Sequence, residues 1–346
     1  MFGLFVFQET ETTRMLIRLE NLQIHARHGV LPQETRIGAD FQVDARLTVD
    51  DREAATALFA DQLEGTVNYA EAYEIIAREM QQPSALIEHV AARIAKALLR
   101  HFCKLREVSI TVRKCCPPIS HFAGQGVCVE FTLRRRLVVW DFDGTLADTC
   151  QGIVRTMHLT LEQSGIQSLP TDAEIIRTIG LPLNQSIAEL SHLSGEPLDR
   201  AVALYRKLFE TEGVAYTQLF EGILPILAEL DRRGYTQAIA TSRGHHSTET
   251  LCQQLGIAPY ISHIVACEDV THSKPHAEPV LTLCRLTHTL PADTIVIGDT
   301  TFDIGMGCNA RAGQCLGVVW GNHTAEALKQ AGAQVVHTPN ELLDWV

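Results

Sequence analysis

The chain has 346 residues, 46% of them hydrophobic and 20% charged, which indicates a folded globular protein and predicts two domains. No apolar run is long enough to cross a bilayer, so membrane partners are not expected. The net charge of −12 is uneven: residues 1–134 carry 15 Lys and Arg against 17 Asp and Glu, and residues 135–346 carry 14 against 24. An acidic second half excludes nucleic acid as the expected partner, but not small phosphorylated molecules, because a metal can supply positive charge.

Residues 1–14 are apolar at first, Met1-Phe2-Gly3-Leu4-Phe5-Val6-Phe7, but lack the basic start and small-residue cleavage site of a signal peptide. They are read as an extension, disordered or preceding the true start, because Met15 opens the first clear strand, up to Ala26. Phe41, Val43, Ala45, Leu47 and Val49 alternate with polar residues, a half-buried strand. Asn68 reads as a helix N-cap with Glu71 as its capping partner, and that helix runs to about Met80. Pro83-Ser84 reads as the opening of a second helix, with Ile87, Val90, Ala91, Ile94 and Leu98 on one face. Two more alternating strands follow, Val108 to Val112 and Val127 to Leu133. The order ββααββ predicts a four-stranded antiparallel sheet with helices on one face.

Arg134-Arg135-Arg136 reads as a solvated joint. Beyond it, apolar strands alternate with helices: Leu137–Trp140, Ala238–Thr241, Ile264–Ala266, Thr294–Ile297 and Leu316–Val319. This predicts a parallel sheet covered on both faces, with an inserted helical cap over about 152–219. None of the ten cysteines forms a CxxC pair, so no disulfide framework is expected and a reducing cytoplasm is the simplest location. His245-His246 and His25 with His28 lack a matching carboxylate or cysteine pattern and read as surface histidines.

Asp141-Phe142-Asp143-Gly144-Thr145 follows the first apolar strand of the second half, so two carboxylates reach the carboxyl end of a buried parallel strand. Thr241-Ser242, Lys274-Pro275 and Gly298-Asp299-Thr300-Thr301-Phe302-Asp303 lie in register after matching strands. Together these four pieces resemble the haloacid dehalogenase superfamily, in particular phosphatases of the phosphoglycolate phosphatase type, over about residues 136–346. The resemblance implies that Asp141 is a nucleophile forming an aspartyl-phosphate and that Asp143 is the general acid and base. It also implies Mg²⁺ held by Asp141, Asp299 and the main-chain carbonyl of Asp143, with Asp303 orienting the metal's waters or the lysine. Thr241 and Ser242 would contact the phosphoryl group, and Lys274 would pair with nucleophile and phosphate. Gly180-Leu181-Pro182-Leu183 resembles that family's lid loop.

Residues 15–133 resemble dihydroneopterin aldolase, an enzyme of folate synthesis. The segments that carry this are His28-Gly29-Val30-Leu31-Pro32-Gln33-Glu34, Thr66-Val67-Asn68-Tyr69-Ala70-Glu71, Leu86-Ile87-Glu88-His89-Val90-Ala91 and Val112-Arg113-Lys114 with Pro117-Pro118-Ile119. Cys115-Cys116 departs from the family's usual Pro-Asn after the lysine. The resemblance implies a tunnelling-type α+β fold and a retro-aldol cleavage of dihydroneopterin needing no cofactor. Lys114 would be the general base, Tyr69 would order a proton, Glu34 would hold side-chain hydroxyls or a water, and Glu88 would anchor the pterin. It also implies a homo-octamer built by this domain, with sites between subunits.

The expected organisation is therefore an extension over 1–14, an aldolase-like domain over 15–134 and a Rossmann-like α/β phosphatase domain over 135–346. The expected function is bifunctional, with small-molecule substrates, a pterin and a phosphomonoester, the latter dihydroneopterin phosphate. The alternatives are a phosphatase of phosphoglycolate, sugar phosphates or other small metabolites, and a first domain that serves only as an oligomerisation scaffold.

Overall fold

The computed structural model describes residues 15–346, so the extension over 1–14 lies outside the described residues. The chain divides into two compact units between Arg135 and Arg136.

In the first unit, β1 (Leu16–Ala26), β2 (Ala39–Val49), β3 (Leu105–Lys114) and β4 (Val127–Arg134) form an antiparallel sheet in that order. The period-2 pattern sets one face inward: Phe41, Val43, Ala45 and Leu47 are buried, and Val43 and Ala45 lie opposite Val112 and Ile110. Helices Tyr69–Gln81 and Ile87–His101 cover this face with Ile76, Met80, Val90, Ile94 and Leu98. Lys114 lies opposite Phe41 at the end of this row, which is how a lysine comes to be 7% exposed.

Asn68 caps its helix as expected, its Oδ1 accepting from the Ala70 N–H at 3.0 Å. Glu71 supports the cap by accepting from the Asn68 amide at 2.9 Å. The second helix starts at Ile87, not at Pro83-Ser84, because Ser84 is held against the segment that follows β1: it bridges His28, and its carbonyl accepts from the Gly29 N–H at 2.9 Å. Two short helices, Pro32–Ile37 and Asp51–Ala60, were not anticipated. The arginine triplet is not a uniformly solvated joint. Arg134 and Arg136 are exposed, but Arg135 donates to the carbonyls of Leu99 and Phe102, at the end of helix Ile87–His101, and of Leu105 in β3.

The second unit contains β5 (Leu137–Trp140), β6 (Ala147–Asp148), β7 (Gln218–Leu219), β8 (Thr236–Ala240), β9 (His263–Val265), β10 (Thr294–Gly298), β11 (Gln314–Val318) and β12 (Gln334–Val336). Six of these form a parallel sheet in the order β12-β11-β10-β5-β8-β9. All four side chains of β5 are fully buried, so both faces of the sheet are covered. Ile223, Leu227 and Leu251 pack in one core, Val280, Leu283 and Ile304 in the other. After β5 the chain pairs first with β8 on one side and later with β10 on the other. Such a switch of direction opens a crevice at the carboxyl end of β5, where ligands of open α/β sheets bind. β6 and β7 pair antiparallel, and the chain between them holds helices Cys150–Gln163, Asp172–Ile176, Leu183–Ser191 and Glu196–Leu208. None of the ten cysteines is in a disulfide. No helix among the described residues is long and apolar enough to cross a membrane.

Candidate active sites

The crevice at β5 gathers the residues that the sequence set more than 150 positions apart. Asp141 follows β5 directly, with its N–H bonded to the Ile297 carbonyl of β10 at 2.9 Å. Lys274 reaches Asp141 at 2.5 Å and Asp303 at 2.6 Å, with all three side chains buried. The other oxygen of Asp303 accepts from the N–H and hydroxyl of Thr300, at 3.0 and 2.6 Å, which fixes the start of helix Thr301–Asn309. Asp299 accepts from the Thr145 hydroxyl at 2.9 Å, and from the N–H and side-chain amide of Asn322 at 2.7 and 2.8 Å. Gly144, with φ +91°, lets the backbone pass close to the Asp299 carboxylate, where a Cβ would collide.

Oxygens of Asp141, Asp299 and Asp303 lie within 4.8 Å of one another. One ammonium faces three buried carboxylates, and the surplus negative charge is costly at low dielectric. Burial, then Asp303, push Asp141 well above the usual carboxylate range, against the pull of Lys274. Burial, then Asp303, push Asp299 up to about 6. For Lys274, burial opposes the charge, but Asp141 and Asp303 outweigh it and hold the ammonium above its ordinary value. An all-oxygen, electron-rich cluster of this kind suits a hard divalent cation.

Asp143 does not join this cluster through its side chain. Its carboxylate accepts from the Thr149 hydroxyl at 2.7 Å and from a bidentate Arg243 fork at 2.7 and 3.1 Å. Arg243 is nearly buried, its guanidinium 4.3 Å from the centroid of Phe209. The sequence reading missed Arg243, although it directly follows Thr241-Ser242; its partner lies 100 residues away. The Thr241 hydroxyl oxygen accepts from the Arg243 N–H at 3.1 Å, which leaves its proton free to donate. Ser242 is engaged elsewhere: its hydroxyl donates to the Gly180 carbonyl at 2.6 Å, tying β8 to the loop Gly180–Leu183. Above Asp141 and Asp143 lies a cavity of about 290 Å³, with Met157, Leu181, Leu183 and Phe209 among its walls.

In the first unit, Lys114 donates to the Glu34 carboxylate and to the His28 carbonyl, the latter at 3.1 Å. Burial works against ionised Glu34, but Lys114 and the Leu31 N–H outweigh it and hold its carboxyl below the usual range. Gly29, with φ +146°, leaves room for that carboxylate. The His28 ring is buried edge-on to Phe41 at 5.2 Å, and neither ring nitrogen has a hydrogen-bond partner. Burial, then the Arg93 charge, lower its pKa to about 4. His28 is thus a neutral buried group rather than the surface histidine expected from sequence.

Tyr69 and Glu88 are not brought into contact with Lys114. Tyr69 opens helix Tyr69–Gln81 and is 71% exposed; Glu88 is exposed in the first turn of helix Ile87–His101. The Gly29–Ser84 hydrogen bond nevertheless anchors the segment leading to Glu88 beside the end of β1.

Two sites of different chemistry, each in its own fold, define an enzyme that joins a lyase to a phosphohydrolase. Residues 17–132 match the dihydroneopterin aldolase family, and residues 138–316 match the haloacid dehalogenase-like hydrolases. The chain belongs to the haloacid dehalogenase-like hydrolase family, and carries a dihydroneopterin aldolase domain ahead of it. It is 35% identical over 206 residues to the protein described as probable phosphatase IndB of Dickeya dadantii (strain 3937), covering 58% of this chain and 88% of that one. It is 29% identical over 201 residues to the phosphoglycolate phosphatase of Yersinia pseudotuberculosis serotype I (strain IP32953), covering 56% and 84%. A solved haloacid dehalogenase-like family hydrolase from Streptococcus pneumoniae aligns with a TM-score of 0.54 at 27% identity, over 61% of this chain and 98% of that one.

Proposed function

We propose that the two units catalyse successive steps of folate synthesis in the cytoplasm: the second removes phosphate from dihydroneopterin phosphate, and the first cleaves the dihydroneopterin released. The convergence of Asp141, Lys274, Asp299 and Asp303 carries the phosphatase half of this reading.

Asp141 attacks phosphorus, and Asp143 gives its proton to the departing alkoxide. Asp143 then takes a proton from the water that hydrolyses the aspartyl-phosphate. Lys274 and the Thr241 hydroxyl counter the charge on the phosphoryl oxygens. Mg²⁺, held by Asp141, Asp299 and the main-chain carbonyl of Asp143, would neutralise the charge that otherwise keeps a carboxylate from a phosphoryl group. Asp303 positions Lys274. The cavity lies just below the roughly 300–1,000 Å³ common for ligand pockets, so it suits one small ring system and excludes a polymer. Leu181 and Leu183 offer an apolar wall to a flat heterocycle.

In the first unit, Lys114 in its neutral amine form, its extra proton given up to solvent, acts as general base on the side-chain hydroxyl of dihydroneopterin, through a water or directly. The bond between the first and second side-chain carbons breaks, glycolaldehyde departs, and the electron pair passes into the pterin ring. A proton ordered by Tyr69 then completes 6-hydroxymethyl-dihydropterin. Glu34 holds the hydroxyls or a water, and the Glu88 carboxylate accepts two parallel N–H bonds from the amino-pyrimidine edge.

Tyr69 stands apart from Lys114 within one chain, which supports sites completed by a second copy. Val30, Ile37 and Leu63 are each at least 60% exposed, and β1 and β4 are sheet edges. Light scattering on the full chain should report an octamer; a monomer with full aldolase activity would contradict shared sites.

The substrate assignment is tested by phosphate release from a metabolite panel. Dihydroneopterin phosphate should give a higher kcat/KM than phosphoglycolate or common sugar phosphates. A lower value would instead favour a general metabolite phosphatase, the reading to which the likeness to the Yersinia pseudotuberculosis enzyme points.

A further inference from the structure

Outside both sites, two imidazoles and a carboxylate converge on the loop that carries Lys274. His272 and His276 flank the lysine by two residues on either side, and Glu278 opens helix Glu278–Leu286. Donor atoms of the three lie within 4.8 Å of one another, and the two imidazole centroids are 4.5 Å apart.

The carboxylate is already set in place. Its Oε1 accepts from the Thr271 N–H at 2.8 Å, and its Oε2 from the His272 N–H at 3.0 Å. His272 Nδ1 lies 2.8 Å from the same Oε2, a pair that shares one proton. His276 Nδ1 turns toward the same point and accepts from the Glu278 N–H at 3.1 Å. That N–H belongs to the first residue of a helix, where backbone donors lack helical partners, so water can take over its bond.

Two donors in a tetrahedral Zn²⁺ site, each about 2.0–2.2 Å from the ion, stand about 3.3–3.6 Å apart. The observed spread needs only a small rotation of side chains that are largely in solvent: His272 is 61% exposed. Two imidazoles and one carboxylate select borderline transition metals over Mg²⁺, whereas the cluster of Asp141, Asp299 and Asp303 offers only oxygen.

We propose that His272, His276 and Glu278 form a second cation site, for a divalent ion of the Zn²⁺ class, distinct from the three-carboxylate cluster. Binding replaces the proton between His272 Nδ1 and Glu278 Oε2, which passes to solvent, and water fills the remaining coordination position. The ion clasps the segment from His272 to Glu278 and thereby the backbone that presents Lys274.

The test uses the untagged full-length chain in excess Mg²⁺. Zn²⁺ is titrated against a chromophoric chelator, and Co²⁺ binding is followed by its visible absorption. One transition-metal ion per chain is expected at this site. H272Q and H276Q should each weaken it at least tenfold and remove the Co²⁺ signature, while Mg²⁺-supported phosphate release without Zn²⁺ stays at the wild-type rate. Asp299→Asn should leave the Zn²⁺ affinity unchanged. Wild-type Zn²⁺ affinity in both histidine variants would overturn the proposal, as would Zn²⁺ binding lost only in Asp299→Asn, which would place the ion in the carboxylate cluster.

Discussion

Replacing Asp141 with Asn should lower phosphate release by at least about 10⁴-fold and leave retro-aldol cleavage at the wild-type rate, because an amide is a poor nucleophile toward phosphorus. The variant also removes the negative charge that Lys274 faces at 2.5 Å, so its loss is electrostatic as well as chemical. Chelation by EDTA should reproduce the loss in the phosphatase alone. Phosphate turnover at the wild-type rate in Asp141→Asn would rule out the assigned nucleophile.

Replacing Lys114 with Ala should lower kcat for glycolaldehyde release by about 10²–10⁴-fold, the usual worth of a positioned base. Glu88→Ala should act mainly on KM, raising it by about 10–100-fold, since hydrogen bonds to a charged group contribute about 1.5–3 kcal/mol. Lys114 is buried with Glu34 at the end of β3, whereas Glu88 is exposed and free to meet a ligand. Removing Lys114 also leaves Glu34 without its cation, so Lys114→Ala is best read beside Lys114→Met, which preserves the packing over Phe41. Wild-type aldolase rates in both Lys114→Ala and Glu88→Ala would reduce the first unit to a scaffold.

Local signals in the sequence made most of this architecture readable. The alternation through Phe41, Val43, Ala45 and Leu47 named the buried face of β2, and the wholly apolar Leu137–Trp140 named a strand covered on both sides. The four motif pieces could be assigned to one site because each follows a strand whose carboxyl end must point the same way. What escaped depends on contacts distant in sequence. Arg243 is unremarkable until β8 brings it to Asp143, and Ser242 cannot be known to bond the Gly180 carbonyl until the fold lays that loop against it. The start of helix Ile87–His101 was misplaced because Pro83-Ser84 has the composition of a helix start, while its backbone is claimed by Gly29. His28 has the look of a surface residue, and its ring is buried edge-on to Phe41 of β2. β12 was missed because three residues at a sheet edge carry too little pattern.

The central claim is that one chain takes dihydroneopterin phosphate through both reactions. The direct measurement supplies that compound and Mg²⁺ to the full-length protein, and follows phosphate, dihydroneopterin and 6-hydroxymethyl-dihydropterin over time. Phosphate should appear first and the cleaved pterin after a lag; Lys114→Ala should accumulate dihydroneopterin, and Asp141→Asn should yield neither product. Cleaved pterin from Asp141→Asn at the wild-type rate, or no phosphate from the wild-type chain, would contradict the account.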